Sequence, residues 1–430
     1  MRDDCDNGRR SGLLARALRG VPPGTAVSTL GLLLRALLQA AVFVVVARLL
    51  GPADYGQFVS LVCVGLLVVP AATLGLEFDV MRGVAAGRVA PADALAAGMR
   101  RTCLVSLPLV TLLASLCVLV LPAATTWSIA LPVLAADILC GAWLELGWRL
   151  FQSADRMRLV ALLRIAPAGA RVLALVPLGC GWLPVSLQSW ALLYASATAL
   201  AALAGLRAAR AVFGGGTPAV ATMPVSRDGL AFTLQALAER ASGDLDKILL
   251  ANLAGPASAG LYGAAYRLVE LCGTPASALV LGANARMFRA GTAGVEHLRA
   301  ECRGLLRLLG GLGLATSAAV LACAPAVPLL LGERYGDSVA MARAMALFPL
   351  VFSLRFALGL ALSAAGGQAR RALIQLCAAA GGLLVALWAI PAWGWQGMLA
   401  TTLGVEALCG AALALSLRGV LASATRSAGY

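Results

Sequence analysis

Apolar runs of about 20 residues recur along the whole chain, separated by short segments that carry Arg, Pro or Gly. A helix of that length crosses the hydrocarbon core of a bilayer. Only 13% of the 430 residues are charged, whereas a soluble globular domain has roughly 25%. The sequence therefore predicts an all-α polytopic membrane protein whose solvent is the bilayer.

The breaks at Pro, Gly and charged residues predict about twelve transmembrane helices. We place these spans at residues 28–50, 56–81, 102–121, 128–149, 159–180, 185–206, 228–252, 259–285, 304–331, 339–365, 372–391 and 395–417. They form an N-terminal six-helix lobe at 28–210 and a C-terminal six-helix lobe at 228–417, joined by a cytoplasmic linker at 211–227. Cytoplasmic tails are expected at 1–27, with a short interfacial helix, and at 418–430.

The formal net charge is +14, and arginine concentrates in every second connection between the predicted spans. The basic connections contain Arg82, Arg88, Arg100, Arg101, Arg149, Arg156, Arg158, Arg164, Arg207, Arg210, Arg227, Arg286, Arg289, Arg299, Arg303, Arg370 and Arg371. This alternation follows the positive-inside rule and predicts that both termini are cytoplasmic. The basic residues do not cluster on one domain with interleaved aromatic residues, so nucleic acid is not an expected partner.

The eleven cysteines are scattered singly, and the only histidine is His297. Zinc and redox sites need clusters of such residues, so no metal or cofactor is expected. The cysteines are predicted to be small apolar core residues.

An internal repeat appears when the sequence is shifted so that Gly51 meets Gly255. LLGPADYGQF, starting at Leu49, then overlies LAGPASAGLY, starting at Leu253. Both copies fall between the first two spans of a predicted lobe. Because each lobe has an even number of spans, the two lobes enter the membrane in the same direction, as parallel repeats. A substrate site is therefore expected in a central cavity between the lobes.

Polar residues at helical spacing mark three spans, although a charge at the bilayer centre costs on the order of 2.5–3.5 kcal/mol on insertion scales. These stripes comprise Arg35 and Gln39 in the first span, Gln235, Glu239, Ser242 and Asp246 in the seventh, and Gly263, Arg267, Glu270, Thr274 and Ser277 in the eighth. A single polar stripe in a membrane helix faces a cavity or another polar helix. The repeat also aligns Arg35 with Glu239, next to Arg240, which predicts an electropositive centre between the lobes.

Structural alternatives stand beside each of these interpretations. Arg267 and Glu270 can be an i, i+3 ion pair that neutralises itself. A self-satisfied network can likewise form from Arg240, Asp244 and Lys247, which are spaced i, i+4 and i+7.

Further midspan charges have partners that the sequence does not name. They are Arg171, Arg355 and Glu406, and the candidate partners within a lobe are Asp137, Glu145, Glu77 and Asp79.

Four segments carry a resemblance to a known family. They are LGPADYG at 50–56, LGLEFDVMR at 74–82, DKILLANLAGPASAGLYGAAYRLVE at 246–270 and GERYGDS at 332–338. On these segments the chain resembles the Wzx-like oligosaccharide flippases of the multidrug/oligosaccharidyl-lipid/polysaccharide exporter superfamily, over nearly its whole length.

The resemblance implies two six-helix lobes that rock around a central cavity, with an oligosaccharide linked by pyrophosphate to a polyprenol as substrate. It implies a bacterial inner membrane location, contact with membrane lipids and with a polysaccharide polymerase, and coupling to Na⁺ or H⁺ without ATP. The sequence has no GxxxxGK[ST] loop, which agrees with transport that does not use ATP. The predicted substrate-binding residues are Arg35, Gln39, Arg240 and Arg267, and the candidate ion-coupling acids are Glu239, Asp246 and Glu270.

Three other classes remain open from the sequence. A cation-coupled multidrug exporter of the same superfamily is the nearest, but an excess of midspan arginine repels cationic drugs. A polymerase needs a large external loop or a set of catalytic groups, and the external connections here are short, so we do not expect an enzyme. A structural scaffold would not need polar stripes between repeats.

Overall fold

The computed structural model describes residues 23–121, 125–214 and 225–427, and every regular element in these ranges is a helix. Most of the predicted N-terminal tail and of the linker lie outside the described residues. We number the helices α1 (Pro23–Thr73), α2 (Leu76–Ala85), α3 (Pro91–Val120), α4 (Trp127–Leu134), α5 (Gly141–Ser153), α6 (Met157–Leu173), α7 (Val176–Gly179), α8 (Leu187–Phe213), α9 (Arg227–Leu253), α10 (Pro256–Ala293), α11 (Val295–Cys323), α12 (Ala326–Leu331), α13 (Ser338–Ala344), α14 (Phe348–Ala364) and α15 (Gln368–Ser427). A π-helix, Ala135–Cys140, joins α4 to α5.

Eight segments of the described chain are long and apolar enough to cross a membrane, which confirms the predicted class of multi-pass α-helical membrane protein. Two of them, in α1 and α15, contain a kink, because Gly51 and Gly394 have non-helical backbone angles. Both kinks fall in connections predicted from the sequence. Helices α9 and α10 are not among these eight segments of the described chain. The count of twelve spans stays a prediction.

The two copies of the repeat adopt the same backbone conformation and pack against each other. Gly51 and Gly255 have φ angles of 78° and 90°, a region that glycine enters without strain. A Cβ atom on Gly56 would lie 1.9 Å from the carbonyl oxygen of Pro256, and one on Gly260 would lie 1.9 Å from that of Pro52. Only glycine permits this approach, so the repeat forms a backbone contact between the halves. We call it the hairpin contact.

A second contact joins the halves through α2 and the start of α9. A Cβ atom on Gly75 would lie 2.1 Å from the carbonyl oxygen of Gly229. Beside it, Arg82 forms an ion pair with Asp228 at 2.7 Å. The hairpin contact is built from glycine and proline, whereas the second contact also contains a charged pair. The candidate site lies between the two halves.

The GERYGDS segment connects the C-terminal half (residues 225–427) to the N-terminal half (residues 23–214). Tyr335 is fully buried, and its hydroxyl donates to the carbonyl oxygen of Ala47 at 3.0 Å. Its ring belongs to a core cluster made mostly of N-terminal residues, including Trp190 and Leu134. This motif therefore stabilises the interface between halves.

Candidate functional site

A cavity of about 690 Å³ lies between the halves, lined by α1, the π-helix, α5, α6 and α8 on one side and by α9 and α10 on the other. The four predicted substrate-binding residues line it together: Arg35, Gln39, Arg240 and Arg267. Glu270, one of the predicted coupling acids, also lines it. The polar stripes of the first and eighth predicted spans thus face the same space.

Among the described residues, seven cationic and four acidic side chains line this cavity. The cations are Arg35, Arg149, Arg164, Arg171, Arg240, Lys247 and Arg267, and the acids are Asp137, Glu145, Asp244 and Glu270. A concave, partly desolvated surface with this excess of positive charge concentrates anions and repels cations.

The stripe of α9 that faces the cavity is Arg240, Asp244 and Lys247, at the spacing considered above as a structural network. The neighbouring stripe of Gln235, Glu239, Ser242 and Asp246 is the one that the sequence predicts to face the cavity. The Asp246 side chain is buried and contacts the ammonium of Lys247 at 3.0 Å. It lines a smaller cavity of about 90 Å³, together with Glu406. The side chain of Glu239 lies outside the described part of the chain.

The C-terminal wall holds two of its three cations, Lys247 and Arg267, in close pairs. Arg267 donates to Glu270 at 2.7 Å, so the ion pair considered from the i, i+3 spacing is present. Both side chains are about half exposed, at 48% and 45%. Lys247 also donates to the carbonyl oxygen of Gly243 at 2.7 Å, and its ammonium lies 3.8 Å from the ring centroid of Tyr266.

The N-terminal wall supplies partners for Arg171 that the sequence left open. Its guanidinium lies 3.7 Å from the carboxylate of Asp137 and 4.0 Å from the ring centroid of Tyr194. Arg171 also donates to the hydroxyl of Thr198 at 3.1 Å, and the Tyr194 hydroxyl donates to Asp137 at 2.6 Å. Asp137 lies in the π-helix, a local widening that often occurs at functional sites.

Arg149 is held by carboxylates from two elements. It lies 3.4 Å from Glu77 and 3.6 Å from Glu145. Glu145 in turn accepts a hydrogen bond from the indole nitrogen of Trp148 at 2.6 Å. The guanidinium carbon of Arg149 is 3.9 Å from the Trp148 ring centroid, and that of Arg164 is 4.1 Å from it. Two cations therefore share one aromatic side chain.

Arg35, Arg164 and Arg240 have no direct carboxylate partner. None of them lies within 4 Å of a carboxylate oxygen in the part of the chain that the structure describes, in contrast to Arg149 and Arg171. Arg35 is repelled by the nearby charges of Arg164, Arg171 and Arg240 and is attracted by that of Glu145. Clustered guanidinium groups of this kind are stabilised when an anion binds among them.

Sequence reasoning missed Arg149, Arg164 and Trp148 as cavity residues. The alternating arginine pattern assigned Arg149 and Arg164 to a basic connection, but Arg164 lies in the middle of α6. A usable signal was present, since Arg164 and Arg171 are seven residues apart and share one face of α6. Outside the cavity, Arg355 and Glu406 form an ion pair with each other.

Comparison with known proteins identifies the family of this chain. A family model described as polysaccharide biosynthesis protein matches residues 23–274, more than half of the chain. No curated protein matches significantly.

Several solved structures share the fold. An inward-facing multidrug resistance MATE family transporter of the MOP superfamily has a TM-score of 0.64 and 16% identity, covering 90% of this chain and 99% of its own. An outward-facing one has a TM-score of 0.60 and 16% identity, covering 93% and 94%. A MOP superfamily transporter from Pyrococcus furiosus, titled as having a binding pocket of reverse polarity that suggests a different function, has a TM-score of 0.58 and 16% identity, covering 94% of both chains. The chain therefore belongs to the polysaccharide biosynthesis protein family and has the fold of the MOP superfamily of membrane transporters.

Proposed function

We propose that the protein is a flippase that carries a polyprenyl-pyrophosphate-linked oligosaccharide repeat unit across the bacterial cytoplasmic membrane, for the synthesis of a cell-surface polysaccharide. The observation that carries this proposal is the excess of arginine in the cavity between the halves of a protein from the polysaccharide biosynthesis family. A pyrophosphate is anionic at neutral pH and binds guanidinium groups through paired, charge-assisted hydrogen bonds. The saccharide is then accommodated in the rest of the cavity, and the polyprenol stays in the lipid.

The two contacts between the halves support alternating access. In this mechanism the hairpin contact opens when the cavity faces one side of the membrane, and the contact at Arg82 and Asp228 opens when it faces the other. Because arginine concentrates at the second contact, we assign that end, and both termini, to the cytoplasm. A phosphatase fused after Gly181 should then be active, and one fused after Arg371 should be inactive.

The substrate moves without ATP in this proposal, and Na⁺ or H⁺ drives the cycle. Glu270 is the strongest of the three candidate coupling acids, because it lies in the cavity beside Arg267. Asp246 already holds Lys247. Glu239 stays a candidate on its sequence position alone.

A multidrug exporter is the second candidate, since the structural neighbours are titled as multidrug resistance transporters. The cavity charge argues against it, because the cationic excess repels cationic drugs. The Pyrococcus furiosus neighbour, whose title links reversed pocket polarity to a different function, supports the use of pocket charge to separate the two candidates.

Complementation of a flippase-deficient strain tests the proposal directly, with drug resistance of an efflux-deficient host measured in parallel. We expect restored surface polysaccharide and no gain of drug resistance. Failure to complement with several related polysaccharide pathways, together with clear drug efflux, would favour the exporter.

A further inference from the structure

The aromatic side chain of Trp148 is surrounded by charge on the wall of the cavity. It is almost fully buried, and Glu145 fixes its indole nitrogen. Arg149 and Arg164 both lie against its ring, at 3.9 Å and 4.1 Å from the centroid. Attraction between a guanidinium and an indole ring is strongest where water is excluded. The arrangement therefore fixes the planes of two cations that would otherwise repel each other.

The two arginines differ in what their nitrogen atoms can still bind. Arg149 is held by Glu77 and Glu145. Arg164 has no carboxylate within 4 Å in the described ranges, yet it lines the cavity. A guanidinium that stacks on an aromatic ring keeps its N–H donors at its edge, available for a bidentate bond to phosphate. Arg164 is thus both oriented and unoccupied by a protein anion.

The first helix brings another cation to the same place. A Cβ atom on Gly31 would lie 3.3 Å from the Cβ atom of Ala161, so α1 and α6 are in close contact there. Arg35 is one turn beyond Gly31 on α1, and its charge interacts with that of Arg164. Two arginines from helices in close contact therefore line the same cavity.

We propose that Arg164, stacked on Trp148, binds the pyrophosphate of the substrate together with Arg35, and that Trp148 is a positioning residue that sets the bidentate orientation of Arg164. This inference rests on the proposed function for the identity of the substrate. It assigns the phosphate site to the N-terminal wall, and it adds Arg164 and Trp148, which the polar stripes do not contain, to Arg35, which they do contain.

Binding of inorganic pyrophosphate tests the site without a transport assay. The full-length protein is placed in phosphatidylcholine nanodiscs, and its affinity for pyrophosphate is measured by titration calorimetry. We expect Arg164→Ala to weaken binding roughly tenfold or more, because hydrogen bonds to charged groups are lost. Arg164→Lys should retain part of the affinity. The matched control Arg158→Gln lies on the same helix, is exposed and is outside the cavity, so it should bind as the wild type does.

The positioning role of Trp148 is tested by a double-mutant cycle. Trp148→Leu should weaken pyrophosphate binding about fivefold, on the scale of one cation–π contact, and Trp148→Phe should restore most of it. In the Arg164→Ala background, Trp148→Leu should have no further effect, since its role is exercised through Arg164. Trp182→Leu, at a residue 73% exposed and outside the cavity, is the aromatic control.

Several outcomes would overturn the proposal. They are pyrophosphate binding unaffected by Arg164→Ala, an equal loss from Trp148→Leu in both backgrounds, and strong competition by phosphatidylglycerol in the nanodisc, which would assign the site to lipid headgroups. The complementation assay separates this inference from the proposed function. A protein that binds pyrophosphate in the expected pattern but does not complement loses the proposed function alone. One that complements, and whose Arg164→Ala variant binds pyrophosphate normally, loses the site alone.

Discussion

The N-terminal and C-terminal walls of the cavity both carry cations, but they compensate them differently. On the C-terminal wall, Arg267 is paired with Glu270 and Lys247 with Asp246, whereas Arg240 has no carboxylate within 4 Å in the described chain. On the N-terminal wall, Arg35 and Arg164 have no carboxylate within 4 Å in the described chain. A paired arginine must release its own carboxylate before it can bind phosphate fully, whereas an unpaired one does not. Arg35 and Arg164 on the N-terminal wall are therefore suited to bind phosphate directly, whereas Arg267 on the C-terminal wall must exchange Glu270 for it.

The largest effect on transport is expected from removing Arg35 and Arg164, the unpaired cations of the N-terminal wall. Arg35→Gln combined with Arg164→Gln should lower transport of the lipid-linked oligosaccharide roughly a hundredfold, since each lost charge-assisted interaction is worth about 1.5–3 kcal/mol. The measurement is flipping in proteoliposomes, with protein levels quantified. The control is Arg88→Gln with Arg158→Gln, two exposed residues outside the cavity. Transport within threefold of wild type would end the contrast between the walls.

A smaller loss of transport is expected when a side chain separates the two halves at the hairpin contact. Gly56→Ala places a Cβ atom 1.9 Å from a backbone carbonyl of the other half, so the hairpin contact must open. Overpacking of this kind costs typically 1–3 kcal/mol, and we expect a lower melting temperature and transport reduced about tenfold. In Gly263→Ala the nearest atom is a Val59 methyl at 3.7 Å, an ordinary contact. Equal behaviour of the two variants would contradict a close backbone approach at the hairpin contact.

Much of this comparison was accessible from the sequence. An apolar helix tolerates charge only where it faces polar surroundings, and this rule placed Arg35, Arg267 and Glu270 in one cavity before the fold was known. The shift that aligns Gly51 with Gly255 located the contact between halves. The all-helical membrane class followed from the apolar runs alone.

What the sequence could not provide depends on contacts between distant helices. Arg164 lies in the middle of α6, and nothing in its neighbours along the chain indicates that Trp148 of another helix supports it. The pairing of Arg171 with Asp137 needs the π-helix, which changes which residues of that segment share a face. On α9 the stripe predicted to face the cavity ends at Asp246, whereas the observed stripe ends at the next residue, Lys247. The prediction was therefore wrong by one residue, and Asp246 lines the smaller cavity instead.

The C-terminal pair Arg267 and Glu270 should give an intermediate effect. Half-exposed ion pairs contribute little to stability, so Arg267→Ala should fold normally and reduce transport by about tenfold, with Arg267→Lys in between. If Arg267 served only as the partner of Glu270, the double variant Arg267→Gln, Glu270→Leu would restore full transport. Transport by Arg267→Ala equal to that of wild type would remove this wall from substrate binding. Glu270→Gln, assayed with and without Na⁺ and proton gradients, tests coupling at the same position.

The smallest effect on transport is expected from neutralising the buried pair Asp246 and Lys247 together. The two charges compensate each other at 3.0 Å, so replacing both by neutral side chains of similar size leaves no unpaired buried charge, and such replacements are often neutral or stabilising. Asp246→Asn with Lys247→Met should therefore retain transport within about threefold and the same gradient dependence, while Asp246→Asn alone should lose stability because Lys247 remains buried without its partner. Melting temperature and gradient-driven flipping in proteoliposomes measure the two effects separately. If the double variant were stable but no longer responded to an ion gradient, Asp246 would be a coupling acid, and the C-terminal wall would carry the driving force through a pair that its geometry assigns to structure.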